Sequence, residues 1–223
     1  MKNIKTIYLG DSIVAYDGKA YNCTNEFGGP SSTEICRGYP TLLNERLGLV
    51  NIGNYAVGGH TILDQRKIIL NLDFTEADLV IISVGVNDFS KSVPIGKIPD
   101  MSNPVFDNTF YGAYAQCLEH ILKSNPRIKV ILMTPLHRNT LHRNGKGATN
   151  ISDTVINGNA LFDFADAIIN LGRIYSCPVA DMMSKSGLNK MNSNIFTFEG
   201  VHPNNDGYEF IIPTLINTVK SIF

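Results

Sequence analysis

Five short apolar runs, each bounded by turn residues, constrain the fold of this 223-residue chain most strongly. A continuous apolar run of five or so residues is typical of a strand that is buried on both faces. Segments with helical periodicity separate the runs, and alternation of strand and helix implies a parallel sheet covered by helices on both sides. The predicted strands are Lys5–Leu9, Val50–Asn54, Leu79–Val84, Lys129–Met133 and Pro178–Ala180.

Three longer segments each carry one apolar stripe with a period near 3.6 residues, which is typical of a helix that packs one face on a sheet. They cover Tyr111–Leu122, Leu161–Tyr175 and Tyr208–Ile222. Proline lacks the backbone N–H that a helix interior uses. We therefore expect Pro213 to kink or divide the last of these helices.

Length and composition fit one α/β domain that spans residues 1–223. A chain of this length can bury a single substantial core, whereas two full domains would be cramped. An apolar share of 43% with 17% charged residues is typical of a globular protein. The 19 basic and 20 acidic residues form no basic run, so we expect no nucleic-acid partner.

The N-terminal apolar stretch is too short for a secretory signal peptide, and no later run is long enough to span a membrane. We therefore predict a cytoplasmic location for the chain as given. If a leader or further domains have been removed, the alternative is a secreted protein or a part of a larger assembly. No feature of the sequence predicts an oligomeric state.

The four cysteines show no spacing typical of a zinc site, and the histidines lack supporting cysteine or carboxylate pairs. We therefore expect no metal and no cofactor. Cys117 and Cys177 lie in apolar surroundings and are expected as buried thiols. Cys23 and Cys36 share a loop, where free thiols are the first expectation and a disulfide between them is the alternative.

Two polar stretches, Ala15–Tyr39 and Leu136–Asn159, interrupt the alternation of strands and helices. Both follow the carboxyl end of a predicted strand, where the ligand crevice of an open α/β sheet lies. We predict that they are long loops that shape a binding site. The arginines of the second stretch, Arg138 and Arg143, are interpreted as solvated surface, with a substrate clamp as the alternative.

A serine follows the first predicted strand in the sequence Gly10-Asp11-Ser12-Ile13. A small hydroxyl side chain at the end of a strand, next to a glycine that allows close approach, suits a nucleophile. Taken alone, such a serine is more often a helix cap or a turn residue. Ser12 is therefore a candidate nucleophile whose assignment depends on the other segments.

The second and third predicted strands end in segments that can donate hydrogen bonds, Asn54–Thr61 and Gly85–Asp88. An acyl-transfer site needs donors aimed at the oxyanion that forms in the reaction. The backbone N–H of Gly59 and the side-chain amide of Asn87 suit that role. Taken alone, each segment is explained better by a turn or a helix cap.

Glu199 lies three residues before His202, just ahead of the last predicted helix. A carboxylate at this spacing can accept a hydrogen bond from Nδ1–H of the imidazole and turn Nε2 towards Ser12. The rival acid is Asp181, which follows the fifth predicted strand and is otherwise interpreted as structural. A backbone carbonyl on Nδ1 would leave a Ser-His dyad.

Together these four segments resemble the SGNH hydrolase superfamily, also called GDSL-like lipases and esterases, in order, spacing and position relative to the strands. Gly10–Ile13 matches the GDSL block with isoleucine for leucine, and Gly59 falls on the oxyanion glycine of the second block. Gly85–Asp88 matches the GxND block. The closing Asp-x-x-His-Pro becomes Glu199–Pro203. The resemblance runs from residue 5 to the end and leaves the two long loops unmatched.

The resemblance implies a three-layer α/β/α fold with a five-stranded parallel sheet in the flavodoxin-like order 2-1-3-4-5. It implies a serine hydrolase in which Ser12 is the nucleophile, His202 the base and Glu199 the acid. The N–H of Ser12, the N–H of Gly59 and the amide of Asn87 would form the oxyanion hole.

Asp11, His60 and Asp88 adjoin these residues and are candidate pocket residues. The expected partner is a small-molecule or glycan ester. The polar loops favour a short acyl group, such as acetyl, on a carbohydrate. A lysophospholipase or thioesterase, and a non-catalytic glycan-binding module on the same scaffold, are the alternatives.

Overall fold

The computed structural model describes residues 3–21, 32–140, 150–152 and 154–223. Its strands are β1 (Ile4–Gly10), β2 (Leu49–Asn54), β3 (Leu79–Ser83), β4 (Lys129–Met133), β5 (Asn139–Thr140), β6 (Asn150–Ile151) and β7 (Val179–Ala180). Its helices are α1 (Ser12–Ala15), α2 (Tyr39–Leu47), α3 (Ile62–Ile69), α4 (Val86–Ser90), α5 (Phe110–Ser124), α6 (Leu161–Tyr175), α7 (Met182–Lys185), α8 (Ser193–Phe196) and α9 (Asn205–Lys220).

Five strands form one parallel sheet in the order β2-β1-β3-β4-β7. This arrangement confirms the predicted order 2-1-3-4-5 and the α/β fold class. All five predicted strands are present, with ends that differ from the prediction by at most one residue. Because the strands are parallel, their carboxyl ends meet at one end of the sheet, and the loops that leave them share that end.

Alternate residues of the central strands face opposite sides of the sheet, as the two-residue period of a strand requires. Ile7, Leu9, Val80, Ile82, Val130 and Leu132 pack with the buried faces of α3, α5 and α6. Tyr8, Leu79, Ile81, Ile131 and Met133 pack on the other side with α1, α2 and α9. The sheet is thus buried on both faces between two layers of helices, which explains the continuous apolar runs.

The last helix, α9, runs unbroken through Pro213, so the prediction that this proline divides the helix was wrong. Pro213 lies on the exposed face of α9. Because it has no N–H, the carbonyl of Glu209, four residues earlier, has no partner in the helix, and on this face it can bond water instead. The second predicted loop contains a short antiparallel pair, β5 with β6. The first loop ends where α2 begins at Tyr39.

Cys36, Cys117 and Cys177 are buried thiols. The alternative of a disulfide between Cys36 and Cys23 concerns a residue that lies outside the described part of the chain. Among the described residues, no helix combines the length and the apolar character needed to cross a membrane.

Candidate active site

Ser12 is the first residue of α1 and lies directly beyond the carboxyl end of β1. The preceding Asp11 caps this helix, because its Oδ1 accepts a hydrogen bond from the Ile13 N–H at 3.0 Å. Gly10 is needed at the end of the strand, since its φ of +153° is rare for other residues and a Cβ there would lie 2.3 Å from the Ser83 carbonyl oxygen. The sharp strand-to-helix turn therefore follows from the local sequence.

Ser12 and His202 are 190 residues apart in sequence and in contact in the structure. Nε2 of His202 lies 2.8 Å from Oγ of Ser12, a distance typical of a hydrogen bond between a nucleophile and its base. Ser12 lies in α1, and His202 lies just before α9. The two helices are bonded to each other, because the Tyr208 hydroxyl of α9 donates to the Ile13 carbonyl of α1 at 2.6 Å. Ser12 and His202 can therefore transfer a proton without rearrangement of the backbone.

Oε1 of Glu199 contacts Nδ1 of His202, on the side of the ring opposite Ser12. The turn that brings the two residues together is closed by two bonds: Phe198 N–H donates to the His202 carbonyl at 3.0 Å, and Gly200 N–H donates to Oγ1 of Thr197 at 2.9 Å. Glu199 thus occupies the position expected of the orienting acid.

Asp181, the rival acid, lies elsewhere. It caps α7 through the Ser184 N–H at 3.2 Å, and its Oδ1 also accepts a bond from the Thr134 hydroxyl at 3.3 Å. These contacts agree with the interpretation of Asp181 as a structural residue at the end of a strand.

The three predicted oxyanion donors belong to segments that follow β1, β2 and β3, at the same end of the sheet. In the part of the chain that the structure describes, the backbone N–H groups of Ser12 and Gly59 donate to no acceptor. Nδ2 of Asn87 donates to the His60 carbonyl at 3.2 Å, and this bond occupies one of its two protons. One amide proton of Asn87 is left for a ligand.

The segments that carry Gly59 and Asn87 are fixed to each other. Nζ of Lys91, the residue after α4, donates to the Gly59 carbonyl at 2.6 Å. Gly85 precedes α4 with a φ of +122°, and a Cβ there would lie 2.8 Å from Pro135. The Lys91 contact with Gly59 was not predicted, because nothing local in the sequence shows which carbonyl a lysine will reach.

Asp11 and Asp88 are buried carboxyl groups beneath this site, 1% and 0% exposed. Burial raises the pKa of Asp11 to about 6 and that of Asp88 to about 7. The negative charge of Asp11 also raises the pKa of Asp88. Asp88 accepts from the Ile62 N–H at 2.9 Å, which ties α3 to α4, and Asp11 caps α1. Both therefore have structural contacts, and their carboxyl groups lie under the site rather than at its surface.

His60, the third candidate pocket residue, is partly buried, and burial lowers its pKa. Its Nδ1 lies 3.2 Å from Nε2 of Gln65, and its carbonyl accepts the Asn87 amide. Gln65 is fully buried on α3 and was not among the candidate residues. A glutamine on an amphipathic helix gives no sequence signal of such a contact.

Arg138, interpreted from the sequence as solvated surface, is partly buried. Its Nη1 donates to Oγ of Ser90 on α4, and partial burial lowers the pKa of Arg138 while the charge of Glu199 opposes the shift. The segment that carries it is tied to the Glu199 turn, because the next residue, Asn139, donates its N–H to the Gly200 carbonyl at 2.8 Å. Arg143 lies outside the described residues.

Two further histidines, His137 and His120, have structural contacts. The His137 ring packs against the Phe162 ring at 5.7 Å, and Nε2 of His120 lies 3.2 Å from the Leu72 carbonyl oxygen. His142 lies outside the described residues. Within the described ranges, no group of three or more His, Cys, Asp or Glu side chains has the geometry to hold a metal ion.

The site contains a hydroxyl, an imidazole and a carboxylate that contact one another in a row, and donors for an oxyanion follow the neighbouring strands. Nucleophilic acyl transfer requires this set of groups. Comparison with protein families agrees with this chemistry. The model of the GDSL-like lipase/acylhydrolase family matches residues 8–210, a span that includes all of the site residues described above. Comparison with the curated proteins finds no match.

Solved structures of similar fold span almost the whole chain. A possible lipase from Chitinophaga pinensis is 25% identical, with a TM-score of 0.77 and coverage of 98% of both chains. An acetyl xylan esterase is 21% identical, with a TM-score of 0.65 and coverage of 97% of this chain and 100% of that chain. A lipase/acylhydrolase from Enterococcus faecalis is 17% identical, with a TM-score of 0.63 and coverage of 99% and 96%.

Proposed function

Because the chain belongs to the GDSL-like lipase/acylhydrolase family, we propose that it is a serine esterase that hydrolyses carboxylic esters through an acyl-enzyme. The observation that carries this proposal is the position of His202, with Nε2 at 2.8 Å from Ser12 Oγ and Nδ1 in contact with Glu199. This is the arrangement in which a weak hydroxyl nucleophile is activated by a base of fixed tautomer.

In the first half of the reaction, Ser12 Oγ attacks the ester carbonyl carbon while His202 Nε2 takes the hydroxyl proton. The carbonyl oxygen becomes an oxyanion and accepts hydrogen bonds from Ser12 N–H, Gly59 N–H and the remaining amide proton of Asn87. The C–O bond to the alcohol then breaks, and the alcohol leaves with the proton from Nε2. Glu199 stabilises the imidazolium without taking its proton.

In the second half, water attacks the acyl carbon, and His202 takes one of its protons. Collapse of the second oxyanion breaks the bond to Ser12 Oγ, which recovers its proton from His202. The products are a carboxylic acid and an alcohol. The side chain of His202 is 14% exposed, so water can reach the base.

A short acyl group on a carbohydrate is the substrate class that we propose first. The acetyl xylan esterase of similar fold acts on such an ester, and the two polar stretches of the sequence, Ala15–Tyr39 and Leu136–Asn159, suit a polar alcohol. The proposed substrate is an acetyl or similarly short ester of a sugar.

A longer-chain acylhydrolase, such as a lysophospholipase or a thioesterase, is the second candidate. Two segments at the same end of the sheet carry exposed large apolar side chains: the connection from α4 to α5 and the approach to Glu199. Such a concentration suits an amphiphilic substrate. The side chains are Ile98, Met101, Val105, Phe106, Met191, Ile195 and Phe198, each between 36% and 79% exposed.

A non-catalytic glycan-binding module is the alternative from another class. Such a module has no physical need for a hydrogen-bonded chain of side chains from Ser12 through His202 to Glu199. The contact between Ser12 and His202 therefore argues against it.

The experiment that tests the proposal compares kcat/KM for p-nitrophenyl acetate, butyrate and octanoate, with Ser12→Ala as the control. We expect turnover by the wild-type chain and a loss of about three decades or more in kcat for Ser12→Ala. The highest kcat/KM on acetate supports a short-acyl substrate, and the highest on octanoate supports the second candidate. Equal rates for wild type and Ser12→Ala would overturn the serine mechanism.

A further inference from the structure

Gln65 is a fully buried polar side chain that the proposed reaction does not use. It lies on α3. Its amide contacts three groups: one on β1 and two in the segment that follows β2. Burial of an amide in this way is costly unless its donors and acceptor are satisfied, so the identity of its partners is informative.

The orientation of the Gln65 amide follows from its partners. The backbone N–H of Gly10 can only donate, so the atom that faces it at 3.3 Å must be the oxygen Oε1. Nε2 therefore points to the other two partners, the Tyr55 carbonyl at 3.3 Å and Nδ1 of His60 at 3.2 Å. Both protons of the amide are used, one for each acceptor.

This orientation determines the tautomer of His60. Because Nε2 of Gln65 donates, Nδ1 of His60 must accept, and the proton of the neutral imidazole then lies on its own Nε2. The environment favours this neutral state, since burial lowers the pKa of His60 and the charges of Lys91 and Lys67 act in the same direction, against an opposing contribution from Asp64.

His60 also connects Gln65 to the oxyanion donors. It directly follows Gly59, and its carbonyl holds the Asn87 amide at 3.2 Å. Gly10, on the other side of Gln65, lies two residues before Ser12. The amide of Gln65 is therefore bonded to the strand of the nucleophile and to the residue that contacts both remaining donors.

We infer that Gln65 is a positioning residue for the oxyanion hole: its amide holds His60 as the Nε2–H tautomer and thereby sets Gly59 and Asn87 relative to Ser12. The inference rests on the proposed function for its catalytic part, whereas the tautomer of His60 is a property of the folded chain alone. Gln65 touches no reacting atom in this scheme and acts through His60.

Gln65→Glu tests the inference with a nearly isosteric side chain. One carboxylate oxygen can still accept from Gly10, but the other can no longer donate to His60 or to the Tyr55 carbonyl. We expect His60 to place a proton on Nδ1 instead. Two-dimensional ¹⁵N NMR of the imidazole, with the His60 signals assigned by loss in His60→Asn, measures the tautomer in both proteins.

Steady-state kinetics on a p-nitrophenyl ester provide the second readout. A misplaced oxyanion hole weakens binding of the transition state more than binding of the substrate. We expect Gln65→Glu to lower kcat about tenfold or more with little change in KM. Gln116→Glu, the same substitution at a partly buried position in the middle of α5, is the matched control and should leave kcat, KM and the His60 signals as in wild type.

The outcomes separate the inference from the proposed function. A wild-type His60 with its proton on Nδ1 would overturn the inference even if no variant folded. An unchanged kcat in a folded Gln65→Glu that has changed tautomer would overturn the positioning role while leaving the esterase proposal intact. If the wild-type chain hydrolyses no ester, the proposed function fails, and the tautomer measurement still decides whether Gln65 holds His60.

Discussion

Glu199 is one methylene longer than the aspartate of the family motif, yet its carboxylate reaches Nδ1 of His202 within a single turn of chain. Its second oxygen, Oε2, is buried and has no hydrogen-bond partner in the described part of the chain. Arg138 contributes positive charge to this environment. A partly buried carboxylate with one bonded oxygen is suited to stabilise the imidazolium that forms when His202 takes the Ser12 proton.

We therefore expect Glu199→Gln to lower kcat by roughly a hundredfold, and by less than Ser12→Ala. Glu199→Asp shortens the arm and should retain part of the activity. The measurement is kcat on p-nitrophenyl acetate, with Asp181→Asn as the control that keeps kcat close to wild type. A Glu199→Gln protein with wild-type kcat would remove Glu199 from the triad.

Asn87 tests the other half of the site. Its amide is already oriented by the His60 carbonyl, so the donated proton costs no reorganisation when charge develops. Asn87→Ala should lower kcat by about a hundredfold or more with little change in KM. If KM rose while kcat stayed constant, Asn87 would be a ground-state contact, and the oxyanion would depend on Ser12 and Gly59 alone.

The turn between β1 and α1 is the element that places the nucleophile, and Gly10 is its most constrained residue. Its backbone packs against β3, where the Ser83 carbonyl accepts the Asp11 N–H at 3.2 Å. Close approach of two strand ends and a positive φ both exclude a side chain here. The position of Ser12 therefore depends on sheet packing as well as on the GDSL-like sequence.

We expect Gly10→Ala to lower the free energy of unfolding by about 3 kcal/mol, because the added Cβ meets backbone that cannot move aside and the residue is strained. Thermal and urea unfolding measure the change. Gly58→Ala is the control for stability, since its φ is not positive and the nearest atom to its Cβ is 3.9 Å away. Equal stability of Gly10→Ala and wild type would show that the turn relaxes freely.

The elements that carry the site were largely predictable because their signals are local. Buried parallel strands give apolar runs; Ser12, Gly59 and Asn87 lie in the segments that follow three of those runs, and Glu199 and His202 lie just before the last helix. The contacts of Gln65 and Arg138 were not predictable, because they depend on which side chains of distant segments meet after folding. That Pro213 does not divide α9 was also not predictable from the local sequence, because the cost of a proline inside a helix is smaller when it lies on the exposed face.

Over the whole molecule, the two buried carboxyls link stability to pH. The pKa of Asp11 is raised to about 6 and that of Asp88 to about 7, whereas the pKa of an aspartate in an unfolded chain is about 4. Between these values the folded chain binds more protons than the unfolded chain. The contribution of the Asp11 and Asp88 carboxyls to the free energy of unfolding is therefore fully present at low pH. It is lost as pH rises from about 4 to about 7.

Asp88→Asn isolates one of these groups. The amide oxygen can still accept from Ile62, but the side chain no longer ionises. We expect the difference in Tm between Asp88→Asn and wild type to shift in favour of the variant as pH rises from 5 to 8. Asp73→Asn, an exposed position, is the control with a constant difference. A constant difference for Asp88→Asn as well would show that the Asp88 carboxyl is not held protonated.

The central claim is that Ser12 is a nucleophile activated by His202, and covalent labelling tests it most directly. Treatment with a fluorophosphonate, followed by intact-mass measurement and peptide mapping, should show one phosphonyl group per chain, attached to Ser12, with loss of esterase activity in proportion to labelling. His202→Ala should label far more slowly. No adduct on the folded wild-type chain, or an adduct on another residue while ester hydrolysis continues, would contradict the assignment.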